Sequence, residues 1–262
     1  MMMEYAALLS LVPAALLLIR PRPQRDSVTW SLLLVAVVGP ASLVALQNAG
    51  GWQPSLSGAI WVSVAAAMIL FAVIAALNES AWRLLPLLAG YCLLLGLVAT
   101  LFAAVPREAL PQAASPAWLD LHIVMSVATY GLATIAAVAG FAGWLQERAL
   151  KRRRSSAFLQ SLPAVADGER LLQGLLAGAE IVLGIGVVSG MATQYLMSGR
   201  LLVFDHKTAL SLLAFVVIGA LLLLHWRTGL RGRQAIRLVL TAYLLLTLAY
   251  PGVKFVRDVL LA

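Results

Sequence analysis

The stretch "FDHKTALSLLAFVVIGALLLLHWRTGLRGR" (residues 204–233) decides how the rest of the chain is read. Asp205, His206 and Lys207 stand side by side, an uncharged apolar run follows, and His225, Trp226 and Arg227 close it. At ~1.5 Å rise per residue, a helix over 207–226 is ~30 Å long, the thickness of the hydrocarbon core of a bilayer. Charged and aromatic residues at both ends of such a run are the mark of its two interfaces.

The pattern recurs along the whole chain. Apolar runs occupy roughly 2–19, 28–46, 58–77, 84–104, 119–145, 171–197, 207–226 and 236–256. The composition agrees: 62% of residues are hydrophobic and 11% charged, against about 45–50% and about 25% in soluble domains. The expected fold is all-α, a polytopic membrane helix bundle of about eight transmembrane helices. No polar segment is long enough for a second domain, so residues 1–262 form one integral membrane domain. At the N-terminus, Arg20, Arg22 and Arg25 follow the apolar stretch, whereas a signal peptide carries its charge ahead of it. The segment reads as a first transmembrane helix.

The formal charge of +8 does not point to nucleic acid, because the basic residues sit in short loops between apolar runs. With eight spans, Arg107, Arg200, Lys207, Lys254 and Arg257 fall on one side and the other fourteen of the nineteen Lys and Arg on the opposite side. Positive charge stays in the cytoplasm, so both termini are expected to be external. The "KRRR" run (residues 151–154) serves as a topology anchor or meets anionic lipid headgroups. Trp30, Trp82, Trp144 and Trp226 at one face, with Trp52 and Trp118 at the other, fit an interfacial belt. The one cysteine, Cys92, has no partner for an internal disulfide, and no CxxCH haem-attachment motif occurs.

Only three histidines occur. His122 opens the fifth span and His206 the seventh, both at the external end. His225 lies at the far end of the helix that His206 starts and cannot join the other two. Ionisable groups at the rim of transmembrane helices face the bundle or a cavity, and imidazole ligates haem iron and zinc. A His122–His206 pair suits a bis-histidine haem. Zinc would need Asp120 and Asp205 to complete it. Those two aspartates also fit helix N-caps, and interfacial histidines can simply be solvated. His122, Ser126, Thr129 and Tyr130 fall on one helical face, which favours a lined pocket. In the sixth span, Gly174/Gly178 and Gly186/Gly190 form GxxxG pairs for close helix approach. Glu180 sits mid-span, either functional or hydrogen-bonded to a neighbouring helix.

The segments "LDLHIVMSVATYGL" (residues 119–132) and "SGMATQYLMSGRLLVFDHKTALSLLAFVVIGALLLLHWRTGLRGR" (residues 189–233) resemble the membrane family of cytochrome c assembly proteins, of CcsA and CcmC type. The branch resembled is HemX/YpjD-like, with eight spans, a His-Lys opening the seventh and a GLRGR-type loop before the eighth. The resemblance is strongest over residues 84–256. It implies a haem-handling protein of the bacterial inner membrane related to cytochrome c biogenesis factors. It places a haem ligand at His122 and a cytoplasm-side histidine at His225. The family's tryptophan-rich external motif is absent before Lys207, where Phe204 and Tyr195 stand, and no histidine follows the last span. His206 is therefore expected to supply the second axial ligand of a non-covalent, b-type haem. Ser126, Tyr130 and Phe204 are expected to line the pocket, with Asp120 and Asp205 orienting the imidazoles. No nucleophile or acid–base pair stands out, so no enzymatic activity is expected. The alternatives are a non-haem scaffold or regulatory partner of another membrane complex, and a transporter with Glu180 in its path.

Overall fold

The computed structural model describes residues 2–17, 25–49, 55–103, 117–153, 156–201, 205–229 and 232–256, and among them no strand occurs. In chain order the helices are α1 (Met2–Leu16), α2 (Ser27–Asn48), α3 (Leu56–Leu77), a 3-10 turn (Ala81–Leu84) leading into α4 (Leu85–Leu101), α5 (Ala117–Lys151), the short α6 (Ala157–Ser161), α7 (Val165–Ser198), α8 (His206–Thr228) and α9 (Arg233–Thr247). A π-helical turn (Leu248–Gly252) then carries α9 into α10 (Val253–Phe255). Among the described residues, seven helices are long and apolar enough to cross a membrane: α2, α3, the turn with α4, α5, α7, α8, and α9 continued to Phe255. The fifteen-residue α1 is a shorter apolar helix at the place of the expected first span.

Local sequence sets the helix starts and stops. Asp26, Ser55 and Asp205 each accept a hydrogen bond from the backbone N–H three residues on, at 2.8, 3.0 and 2.8 Å, and so cap α2, α3 and α8. At the other ends, Gly199 and Gly229 adopt φ of +70° and +65° and return their N–H groups to the carbonyls of Tyr195 and His225. Glycine takes this left-handed conformation without the strain a Cβ would bring.

α5 is the central helix. It packs against α3, α7 and α9, and its middle is buried almost without a break from Thr129 to Gly140. Small residues there (Ala133, Ala136, Ala139 and Gly140) let the neighbouring backbones close in. On the perimeter, Leu94, Val188 and Val216 are exposed. In a bilayer such a perimeter costs nothing, because acyl chains are as apolar as leucine.

Three expectations are corrected. The fifth and sixth spans are longer than 119–145 and 171–197: α5 and α7 have 35 and 34 residues, ~50 Å each. Hydropathy marks the membrane-embedded part of a helix, while Gln146, Glu147, Arg148 and Lys151 continue it as good helix formers. Between α5 and α7 lies the five-residue α6, and Gln146 Nε2 donates to the Leu159 carbonyl at 3.3 Å to hold α6 against α5. Trp82 does not belong to an interfacial belt. It is buried, edge-on to Trp30 at 4.3 Å between ring centroids, with the Arg25 guanidinium over its ring. Trp118 and Trp226 are exposed as a belt requires, and Trp52 lies outside the described residues. Cys92 is fully buried among the apolar side chains of the core, a packing residue.

Candidate functional site

A cavity of about 520 Å³ opens between α5, α7 and α8 at the end of the bundle where α8 begins. His122, Ser126 and Thr129 contribute from α5, Gly186 and Gly190 from α7, Lys207 and Ser211 from α8. A second hollow of about 280 Å³ shares His122, Ser126, Lys207 and Ser211 and extends to Tyr130 on α5 and to Tyr250 and Lys254 beyond α9. The polar stripe legible on the fifth span thus lines one continuous region of the structure.

His122 is held in it by two neighbours on α7. Its Nδ1 lies 2.8 Å from the Gly186 carbonyl oxygen. A carbonyl only accepts, so Nδ1 carries the proton, and in the neutral ring Nε2 is left with its lone pair. A metal-binding histidine is commonly held this way, its second nitrogen donating to a carbonyl. The ring also rests against Gly190, where the Cβ of any larger residue would fall 2.9 Å from Cε1 and 3.0 Å from Nδ1. Glycine at 190 is the seat of the imidazole. This refines the GxxxG reading: Gly186 and Gly190 face α5, with Met125 and His122 against them, whereas Gly174 has no atom within 4 Å of where a Cβ would stand.

Tyr130 is buried and anchored by hydroxyl groups. Its oxygen lies 3.3 Å from Thr247 Oγ1 and 3.1 Å from the Tyr243 hydroxyl, which in turn lies 2.7 Å from that of Tyr91. This network ties α4, α5 and α9 together behind the cavity.

The remaining expected residues are placed differently. His206 is the first residue of α8; its side chain is exposed and is not part of the cavity wall. Lys207, Thr208 and Ser211 face the cavity instead, because successive helical residues turn by about 100°. Asp205 lies at the rim as the α8 cap. Partial burial raises its carboxyl pKa, but hydrogen bonds from the Thr208 N–H and hydroxyl and the charges of His206 and Lys207 outweigh that and hold it below the ordinary value. Asp120 is exposed and sits in the first turn of α5 rather than at its cap, since the helix starts at Ala117. Phe204 lies outside the described residues. His225 is at the opposite end of α8, its ring against the Gln173 amide of α7. Glu180 lies apart from His122, in a largely apolar groove with Trp118 and Phe215, its Oε1 close over Gly219. Among the described residues, no three His, Cys, Asp or Glu side chains gather as a metal cluster, so the aspartates do not complete a zinc site with His122. Lys207, Lys254, Tyr250 and Gly190 were not singled out by sequence as members of the site. Only the Asp–x–Lys pattern at the mouth of α8 gave a signal for one of them.

Comparison with known proteins adds the family. The family model described as "Cytochrome C assembly protein" matches residues 27–261. The chain is 53% identical over 237 residues to an uncharacterized 28.8 kDa protein of Azospirillum brasilense, covering 90% of this chain and 88% of the relative. It is 26% identical over 190 residues to the inner membrane protein YpjD of Escherichia coli K12, covering 71% and 69%. No solved structure matches. The resemblance carried by the His122 and Asp205–Lys207 segments is thereby shown, and this polytopic chain belongs to the cytochrome c assembly protein family.

Proposed function

We propose that this protein binds haem non-covalently at the His122 cavity and handles it at the outer surface of the bacterial inner membrane, without chemistry of its own. The observation that carries the reading is the state of His122. Its Nδ1–H is committed to the Gly186 carbonyl and its ring is seated on Gly190, which leaves Nε2 as the ligating atom beside a cavity. The residues present fit the ligand. The cavity volume is within the ~300–1,000 Å³ of small-molecule sites. Leu183, Val187 and Leu212 supply apolar wall for a porphyrin face, with Ser126 and Ser211 as polar contacts. Iron supplies the Lewis-acid centre that an imidazole recognises.

Family membership and the inner-membrane description of the Escherichia coli relative support the location. The Lys and Arg bias supports an external position for the His122 end. The reading assigns one axial ligand to this chain, His122. The exposed ring of His206 is not assigned to the iron.

The test is the absorption spectrum of protein purified from haem-replete cells. A Soret band at near-stoichiometric intensity that is lost in His122→Ala and kept in His206→Ala is expected. Colourless wild-type protein that takes up no added haem contradicts the proposal.

A further inference from the structure

At the end of the bundle opposite His122, a separate hollow of about 470 Å³ lies between the loop after α3 and the start of α7. Asn78, Glu79, Ser80 and Arg83 line one side, and Pro163, Asp167 and Arg170 the other. Along α7, Arg170 stands ~30 Å from the Gly190 seat of His122, the thickness of a hydrocarbon core. The apolar stretch of α7 begins at the next residue, Leu171. The hollow therefore sits at the second membrane boundary, at the depth of lipid headgroups. Its loop side is held in place. Asn78 Oδ1 accepts from the Ser80 N–H at 2.9 Å and from the Ser80 hydroxyl at 2.7 Å, just before the 3-10 turn that carries Arg83.

The wall carries both signs of charge. Glu79 faces the Arg25 guanidinium at 3.6 Å. Arg83, Arg170 and Asp167 are exposed, and among the described residues none of the three makes an ion pair. We infer that this hollow is a headgroup site for a zwitterionic phospholipid. Arg83 and Arg170 take the phosphate diester, and Asp167 takes a primary ammonium, the pair of groups that phosphatidylethanolamine presents. The guanidinium fork matches phosphate oxygens, and basic pockets between membrane helices on the cytoplasmic side bind lipid headgroups. The Lys and Arg bias supports that side for this end of the bundle. Asp167 decides between headgroups. A purely anionic one sets a like charge before its carboxylate, whereas an ammonium beside the phosphate meets both signs of the wall. A quaternary ammonium brings the charge but no N–H to donate.

The inference does not rest on the haem reading, and its experiment uses full-length protein in detergent without added haem. Native mass spectrometry reads the affinities of phosphatidylethanolamine, phosphatidylglycerol and phosphatidylcholine with the same acyl chains, and of glycerophosphoethanolamine, the headgroup without chains. Wild type is compared with Arg83→Gln, Arg170→Gln, Arg83→Lys, Asp167→Asn and Arg152→Gln; Arg152 is an exposed cation that does not line the hollow. Wild type should hold phosphatidylethanolamine about tenfold more tightly than the other two lipids, as one charge-assisted bond implies. Arg83→Gln and Arg170→Gln should each weaken all three lipids by about tenfold, and Arg83→Lys should recover part of the loss. Asp167→Asn should bring phosphatidylethanolamine down to the level of phosphatidylglycerol. Arg152→Gln should change nothing, and the chainless headgroup should bind far more weakly than the lipid. No preference for phosphatidylethanolamine in wild type, or a preference that survives Asp167→Asn, overturns the zwitterionic assignment. A loss in Arg152→Gln equal to that in the hollow variants, or no loss in either glutamine variant of the hollow, overturns the site. A chainless headgroup bound as tightly as the lipid overturns the lipid as occupant in favour of a free phosphate ester.

Discussion

His122 and His225 make an instructive pair. Each ring meets α7, His122 near the C-terminal end of that helix and His225 near its N-terminal end. The partners differ in kind. His122 meets a backbone carbonyl, an acceptor, so Nδ1 donates and Nε2 remains a lone-pair donor to a metal. His225 meets the side-chain amide nitrogen of Gln173, a donor, directed at Nε2. The same residue type on the same neighbour helix is thus left ligand-ready at one end and hydrogen-bonded through the corresponding atom at the other. On the proposed reading, the hydrogen-bonding sense of the partner is what sets a binding histidine apart from a structural one, and residue identity does not reveal it.

The glycine seat offers the strongest way to break the contrast. Gly190→Leu places a side chain where the His122 ring now lies, and haem affinity should fall by more than about tenfold, as a displaced, mis-aimed ligand implies. Gly174→Leu, on the same helix with open space around it, should leave affinity unchanged. Equal effects of the two substitutions, measured by haem titration, would show that Gly190 is not a seat.

Capping gives a smaller effect. Asp205→Ala removes the bond to the Thr208 N–H and should lower stability by about 1 kcal/mol, read as a shift of a few degrees in thermal unfolding. The Asp205 pKa is lowered in the folded protein. Its contribution is therefore complete above the unfolded value of about 4 and is lost as pH falls through the depressed folded value. Between about pH 6 and 8, wild type and Asp205→Ala should differ in unfolding temperature by a constant amount.

Weaker still is the tyrosine network. Tyr243→Phe removes the hydroxyl between Tyr130 and Tyr91, and membrane hydrogen bonds average about 0.6 kcal/mol each. A drop of about 2–4 °C in unfolding temperature is expected, with haem binding retained. Loss of haem binding would make the network part of the site.

Gln173→Leu sharpens the comparison from the other side at the least cost. One hydrogen bond is lost, about 1–2 °C, and with it the contact of the Gln173 amide with the His225 ring. Haem stoichiometry should stay at one, because the proposed reading assigns the iron to His122 alone. A second equivalent of bound haem would show that the amide was masking one.

How far these features could be read from the sequence follows from their range. Helix starts at 27, 56 and 206 lie within two residues of the expected 28, 58 and 207, since apolar runs and caps are local signals. The His122–Ser126–Thr129–Tyr130 stripe was legible because helical periodicity is local too. The rotation of α8 was not: choosing Lys207 over His206 as the inward residue requires knowing where the neighbouring helices stand. Lys254 was hidden for a further reason, because a π turn resets the face of every residue after it. Gly190 looked like half of a general packing motif until its neighbour was seen to be an imidazole.

The most direct measurement is a side-by-side haem titration of wild type, His122→Ala and His225→Ala, followed by the Soret band. The account predicts one equivalent bound by wild type and by His225→Ala, and none with a histidine-ligated spectrum in His122→Ala. An unchanged spectrum in His122→Ala, or its loss in His225→Ala, would contradict it.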